Sequence, residues 1–192
     1  MITVSIVYHS GSGHTAKLAE AVAKGAASII GVQVQSLVIT SKDIIEGRFD
    51  NPAALEQLDA SDAIIFGSPT YMGGPSGQFK LFADATSGSW FGQKWADKLA
   101  AGFTVSSSPA GDKFSTLQYF HTLAMQHSMV WVGLGGLAMQ ENGVNRLGSF
   151  AGATAQAGQE SPEDAPNAAD KLTAEFLGRR VAEAAKRWNG HA

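Results

Sequence analysis

The amino-acid sequence predicts an α/β fold: a five-stranded parallel sheet between two layers of helices, in a single domain over residues 1–192. Short apolar or β-branched runs alternate along the chain with stretches whose apolar residues recur at helical spacing. Most of these runs are apolar nearly throughout, as strands buried on both faces are. The turns after the first, third and fourth runs are rich in Gly, Ser and Thr.

The elements follow in order. "ITVSIVY" (Ile2–Tyr8) is the first strand, and from His14 a helix carries Leu18, Val22, Ala26 and Ile29 on one side. "VQVQSLVI" (Val32–Ile39) is the second strand. Asn51 is an N-cap and Pro52 the first residue of the next helix. "AIIFG" (Ala63–Gly67) is the third strand, "GQFKLFAD" a helix, and "LAAGFTVSSS" (Leu99–Ser108) the fourth strand. A helix around Thr116–His127 precedes "MVWVGL" (Met129–Leu134), the fifth strand. The Gly-, Ala- and Gln-rich segment of roughly 135–160 is an insertion, since bare loops above ~12–15 residues are uncommon. A helix of roughly Pro166–Arg187 closes the chain. Five strands joined by right-handed crossovers fit the order 2-1-3-4-5, a flavodoxin-like three-layer sandwich with an insertion after strand 5. In that order the chain reverses direction between strands 1 and 3, and ligands sit outside the carboxyl ends of the strands there.

Composition narrows the chemistry. Cysteine is absent, which removes disulfides, thiolate nucleophiles and zinc-thiolate or iron–sulfur sites, so redox chemistry would need a bound cofactor. The net charge is −3 and Lys and Arg form no dense cluster, which argues against nucleic acid or an anionic membrane as partner. No run approaches the ~18 apolar residues that cross a bilayer, and no leader pattern opens the chain, so a cytoplasmic location is expected.

The first loop matches G-x-G-x-x-G/A at residues 11–16, but the acidic residue expected about 20 positions on is missing, and no Gly-Lys-Ser/Thr makes it a P-loop. A different ligand fits better. Ser10, Ser12 and Thr15 bring hydroxyls, and Gly11 and Gly13 let backbone N–H groups face inward as an anion nest. The helix beginning near His14 adds its positive end. Such a cage suits a terminal phosphate monoester, as in flavin mononucleotide (FMN); the plainer alternative is a turn with Ser and Thr as caps. The second loop offers Pro69, Thr70, Tyr71, Met72 and Gly73, hydrogen-bonding backbone and apolar faces for a flavin ring. The third offers Ser106, Ser107, Ser108, Pro109, Ala110 and Gly111. His9 and His14 lack spaced carboxylate partners, so no metal is expected.

Four segments carry a family resemblance: "YHSGSGHTAKLAEAVAKGA", "FGSPTYMGGPSGQFKLFAD", "HTLAMQHSMVWVGL" and "GSFAGATAQAGQE". With them the chain resembles, over nearly its whole length, the tryptophan repressor-binding protein family of flavodoxin-like NAD(P)H:quinone oxidoreductases. The resemblance implies noncovalent FMN, its phosphate held by Ser10 to Thr15 and its ring bordered by Pro69–Gly73 and Ser106–Gly111. It implies that His127 stands beside the flavin as a catalytic residue and that Trp90 lines the mouth of the site and binds substrate. It implies a homo-oligomer, dimer or tetramer, with sites near subunit contacts. Tyr71 and Met72 stand where the family often has arginine and phenylalanine, and Ser12 where it often has a bulky aromatic.

The expected reaction is a ping-pong transfer of two electrons from NADH or NADPH to a quinone or similar flat acceptor. Two alternatives stay open: a flavodoxin-type one-electron carrier, and a flavin-free regulatory protein on the same fold. A plainer reading of His127 is a helix-end histidine beside the sheet, and of Trp90 a subunit-contact residue.

Overall fold

The computed structural model describes residues 1–138 and 141–190. In chain order the elements are β1 (Ile2–His9), α1 (His14–Ala27), β2 (Val32–Ile39), β3 (Ile44–Ile45), β4 (Arg48–Phe49), α2 (Pro52–Asp59), β5 (Ala63–Tyr71) and β6 (Gly74–Pro75). Then come α3 (Gly77–Ala85), α4 (Ser87–Phe91), β7 (Leu99–Ser106), α5 (Lys113–Gln126), β8 (Val130–Trp131), β9 (Ala153–Gln156) and α6 (Ala168–Trp188).

The main sheet runs β2-β1-β5-β7-β8, with β1 parallel to β2 and β5, and β5 parallel to β7. This is the 2-1-3-4-5 order, with the two-residue β8 in fifth place, and it leaves a switch point between β1 and β5. The fifth position is shared. β8 pairs with Leu99 and Ala100 of β7, and β9 pairs with Phe103 to Ser106 of the same strand. The chain leaves the sheet after β8 and returns as β9. The detour is pinned where the Trp131 indole N–H donates to the Ala151 carbonyl at 2.9 Å and the Leu134 amide donates to the Phe150 carbonyl at 3.0 Å. Residues 139 and 140 of the expected insertion lie outside the described residues.

Each face of the sheet buries its own apolar set. Val4 and Ile6 pack with Leu18 and Val22 of α1 and Leu177 and Val181 of α6. Across the sheet, Phe66 meets Leu58 of α2, Phe79 and Phe82 of α3, and Phe120 of α5. The α1–α6 crossing is unusually close, because a Cβ on Gly25 would strike the Glu175 carbonyl and one on Gly178 the Val22 carbonyl. Helix starts follow local chemistry: Asn51 accepts from the Ala54 amide at 3.0 Å, and Asn167 from the Asp170 amide at 2.9 Å. With β1, β5 and β7 parallel, their following loops meet at one edge of the sheet, and α3 and α5 run back from that edge to the other.

Candidate functional site

The site is built from the ends of these strands. After β1 the chain turns through Ser10–Gly13 into α1, whose N-cap is Gly13 with φ +93°. That left-handed conformation favours glycine, and a Cβ there would also come within 2.6 Å of the Pro162 ring. Gly13 itself has no side chain to cap α1, and of the first-turn amides that of Ala16 donates to the Ser10 hydroxyl at 3.2 Å. Unclaimed N–H groups at a helix's positive end are what an anionic group needs.

β5 extends beyond the sheet to Tyr71 and turns back as β6. Met72 (φ 47°) and Gly73 (φ 76°) form a two-residue hairpin turn with both central residues left-handed. Tyr71 reaches over the first loop, where its hydroxyl occupies the space a Cβ on Gly11 would take. Ser12, His14 and Thr15, then Pro69, Thr70 and Tyr71, then Val105, Ser106 and Ser107 line one cleft of about 150 Å³. The first, second and third loops therefore meet.

Several expected ligand hydroxyls are engaged inside the protein. Thr70 Oγ1 lies 2.8 Å from Thr104 Oγ1 and 2.7 Å from Thr116 Oγ1, a buried knot tying β5 to β7 and α5. His14 Nε2 donates to the Glu160 carbonyl at 2.8 Å, so in the neutral ring Nδ1 accepts from the Ser12 hydroxyl at 3.1 Å. Ser106 Oγ accepts from the Lys113 ammonium at 2.8 Å and donates to the Ser108 carbonyl at 3.0 Å. The hydroxyls of Thr15 and Ser107, which also line the cleft, are not among those engaged.

Two further contributors go beyond the expected residues. One is Lys113, 3 % exposed, which donates also to the Ser108 and Pro109 carbonyls at 2.8 and 2.9 Å. Burial pushes its pKa down to about 8, against the pull of Asp170 and with the push of Arg146. The other is the segment after β9. Ala157 and Gly158 line the cleft, Gln156 bonds the Ser107 carbonyl at 3.2 Å, and Glu163 pairs with Lys17 at 2.9 Å. This segment forms a fourth wall.

His127 and Trp90 do not reach this cleft within the chain. α5 begins at the third loop with Lys113 and ends 14 residues later, roughly 21 Å along the axis, so His127 stands at the opposite edge of the sheet. There it stacks on Trp95 and lies 2.9 Å from Thr86 Oγ1. Thr86 spends its own proton on the Ala83 carbonyl at 2.7 Å, so His127 Nε2 is the donor and its buried Nδ1 has no partner among the described residues. His127 and Trp90 line a second pocket of about 350 Å³ with Thr86, Tyr119 and Leu123. Within one chain, the length of α5 separates His127 from the cleft of the three loops.

A parallel 2-1-3-4-5 sheet with ligand-accepting loops at its switch point defines a flavodoxin-like protein. The family model "NADPH-dependent FMN reductase" matches residues 4–143. The chain is 41 % identical over 182 residues to Flavodoxin FldP of Pseudomonas aeruginosa, covering 92 % of this chain and 93 % of that one. It is 35 % identical over 204 residues to an NAD(P)H dehydrogenase (quinone) of Geobacter sulfurreducens, covering 98 % of this chain and all of that one (100 %). A crystal structure of the flavodoxin, WrbA-like protein from Agrobacterium tumefaciens superposes with a TM-score of 0.78 at 41 % identity, covering 97 % of this chain and 99 % of that one. The chain belongs to the NADPH-dependent FMN reductase family and is a flavin oxidoreductase.

The residues present fit FMN. The amino end of α1, entered through the left-handed Gly13, suits its phosphate, and Pro69–Tyr71 and Val105–Ser107 border the same cleft, whereas Pro109 and Ala110 line a separate pocket with Lys113 and Phe114.

Proposed function

We propose that the chain takes two electrons from NADH or NADPH and passes them to a quinone or similarly flat acceptor in a ping-pong cycle, using FMN. The observation that carries this reading is the glycine-built start of α1, where the first loop opens onto a cleft shared by the other two loops. FMN, when bound, supplies hydride acceptance and release. The chain's own residues bind and orient. Ser10 to Thr15 would hold the phosphate, through amides and the Thr15 hydroxyl. Pro69–Gly73 and Ser106–Gly111 would border the ring, Thr70 with its backbone because its hydroxyl is committed to the knot. Tyr71, 48 % exposed, would shield the cleft from water.

Trp90 and His127 would take part only from a neighbouring copy, which agrees with the homo-oligomer, dimer or tetramer, that the family resemblance implies. No described helix is long and apolar enough to cross a membrane, and the cytoplasm would supply the nicotinamide donor. In the test, purified protein supplied with excess FMN should show flavin absorbance and oxidise NAD(P)H faster when benzoquinone is added. A colourless protein that takes up no FMN defeats the proposal.

The relative named a flavodoxin favours a second reading, one-electron transfer. Stepwise reduction separates the two: absorbance changing in two well-resolved one-electron stages supports the carrier, and a single two-electron transition supports the reductase.

A further inference from the structure

We infer that Lys113 is a positioning residue of the flavin site: its buried ammonium shapes the third loop and sets one positive charge behind the rim, favouring the cofactor's fully reduced form. This rests on the FMN reading above.

Lysine is rarely buried without a partner that repays its desolvation. Here all three ammonium protons go to one loop, to Ser106 Oγ and to the Ser108 and Pro109 carbonyls, at 2.8, 2.8 and 2.9 Å. Drawing the Pro109 carbonyl toward Nζ turns the Ala110 N–H of the same planar peptide away from it. The loop is thus folded around the cation.

Among the described residues no carboxylate bonds the ammonium, and the Glu160 carboxylate on the far wall of the cleft is spent on the Gly158 amide at 2.7 Å and is exposed. Asp170, 1 % exposed, is the carboxylate that acts on Lys113, but Arg146 holds it through bonds of 2.7 and 2.8 Å. That pair sums to zero and leaves the ammonium as net +1. Asp112, next in the chain, is exposed and screened by water. With its pKa at about 8, Lys113 is still charged at neutral pH.

Ser106 stands between this charge and the cleft, accepting from Nζ while lining the cavity. Hydride uptake adds two electrons and one proton to the ring, which gains one unit of negative charge. A fixed positive charge one hydroxyl away, shielded from water, stabilises that product more than the starting form.

The test compares Lys113→Met and Lys113→Gln, which remove the charge, with Lys113→Arg, which keeps it. The readouts are the two-electron midpoint potential of the FMN-loaded protein and the Kd for oxidised FMN by fluorescence quenching. In the Met and Gln variants, affinity for reduced FMN should fall about tenfold more than affinity for oxidised FMN, a drop of ~30 mV in a two-electron couple; Arg should restore the potential. Should Met disrupt folding, Gln carries the same charge change in a polar side chain. An unchanged potential in FMN-loaded neutral variants overturns the inference while leaving the function standing, as does an equal shift in Arg. Failure of the wild type to bind FMN overturns both.

Discussion

The imidazole of His127 lies nearly flat on the indole of Trp95, with ring centroids 4.2 Å apart and planes 27° apart. Both rings are buried, His127 at 2 % exposure, and protonating Nδ1 would put a cation where no acceptor waits. Burial therefore holds the His127 pKa down to about 4, and the attraction of Asp59 only partly opposes it.

Acid should destabilise the fold through this histidine. Its folded pKa of about 4 lies below the ordinary 6.5, so the unfolded chain binds the extra proton. The contribution is present in full above pH 6.5 and is lost as pH falls toward 4, on the order of 3 kcal/mol across that window. His127→Leu keeps an apolar contact with Trp95 and cannot titrate. Urea melts from pH 7 to pH 4 should show the wild type losing about that much more stability than the variant. Parallel curves would mean that His127 protonates as easily in the folded chain as in the unfolded one.

Asp59 anchors the same corner. Its Oδ1 accepts from the Trp95 indole N–H and the Ser89 hydroxyl, both at 2.7 Å, and its Oδ2 from Lys94 at 2.8 Å. Burial alone would push the carboxyl up, yet the bonds from Lys94, Ser89 and Trp95 outweigh it and hold the pKa below the ordinary value. Asp59→Ala strands the N–H of a fully buried indole and should cost about 2–3 kcal/mol. Asp59→Asn, whose amide oxygen still accepts, should recover part of it. Trp95, a buried one of the four tryptophans, contributes to the near-UV circular dichroism, and an Ala variant with native stability and spectrum would deny Asp59 this role.

The architecture was readable because most long strands are apolar runs, β2 an alternating one, and helical spacing recurs between them, so the alternation implied a parallel sheet. The fifth strand shows where that logic stops. "MVWVGL" has strand composition, but only Val130 and Trp131 pair with β7, and the plain "ATAQ" of β9 takes the rest of the position. That division depends on a detour closed by Trp131 and Leu134, contacts with no periodic signature. At the site, loop positions were legible and hydroxyl commitments were not: Thr70 finds Thr104 and Thr116 only once three elements have packed. Lys113 did leave a trace. A lysine at the first position of a helix faces the positive end of the dipole, a misfit that invites a compensating set of acceptors.

The α1–α6 crossing sets two effects against each other. Alanine is favoured over glycine inside a helix by about 1 kcal/mol, so Gly178→Ala would stabilise an isolated α6. In the folded protein the new methyl meets the Val22 carbonyl, which is backbone of α1 and cannot rotate aside. Overpacking of this kind costs about 1–3 kcal/mol, and with rigid backbone on both sides it should win. Thermal unfolding of Gly178→Ala should therefore show a lower Tm than wild type; a higher one would mean that the helices slide apart without loss.

Gly13→Ala tests the phosphate loop itself. Gly13 has φ +93°, and a side chain there meets Pro162 of the fourth wall at 2.6 Å. Holding alanine in that conformation costs about 1–3 kcal/mol, and the displaced Pro162 would disturb the segment that Glu160 anchors to His14. If the amides at the start of α1 grip the phosphate, the strained variant should relax them away from the anion. FMN affinity should then fall about tenfold or more, equivalent to ~1.4 kcal/mol, while affinity for riboflavin, which lacks the phosphate, changes far less. Fluorescence quenching titrations with the two ligands make the comparison. An equal loss for both would attribute the defect to the ring side of the cleft and not to the nest at Gly13.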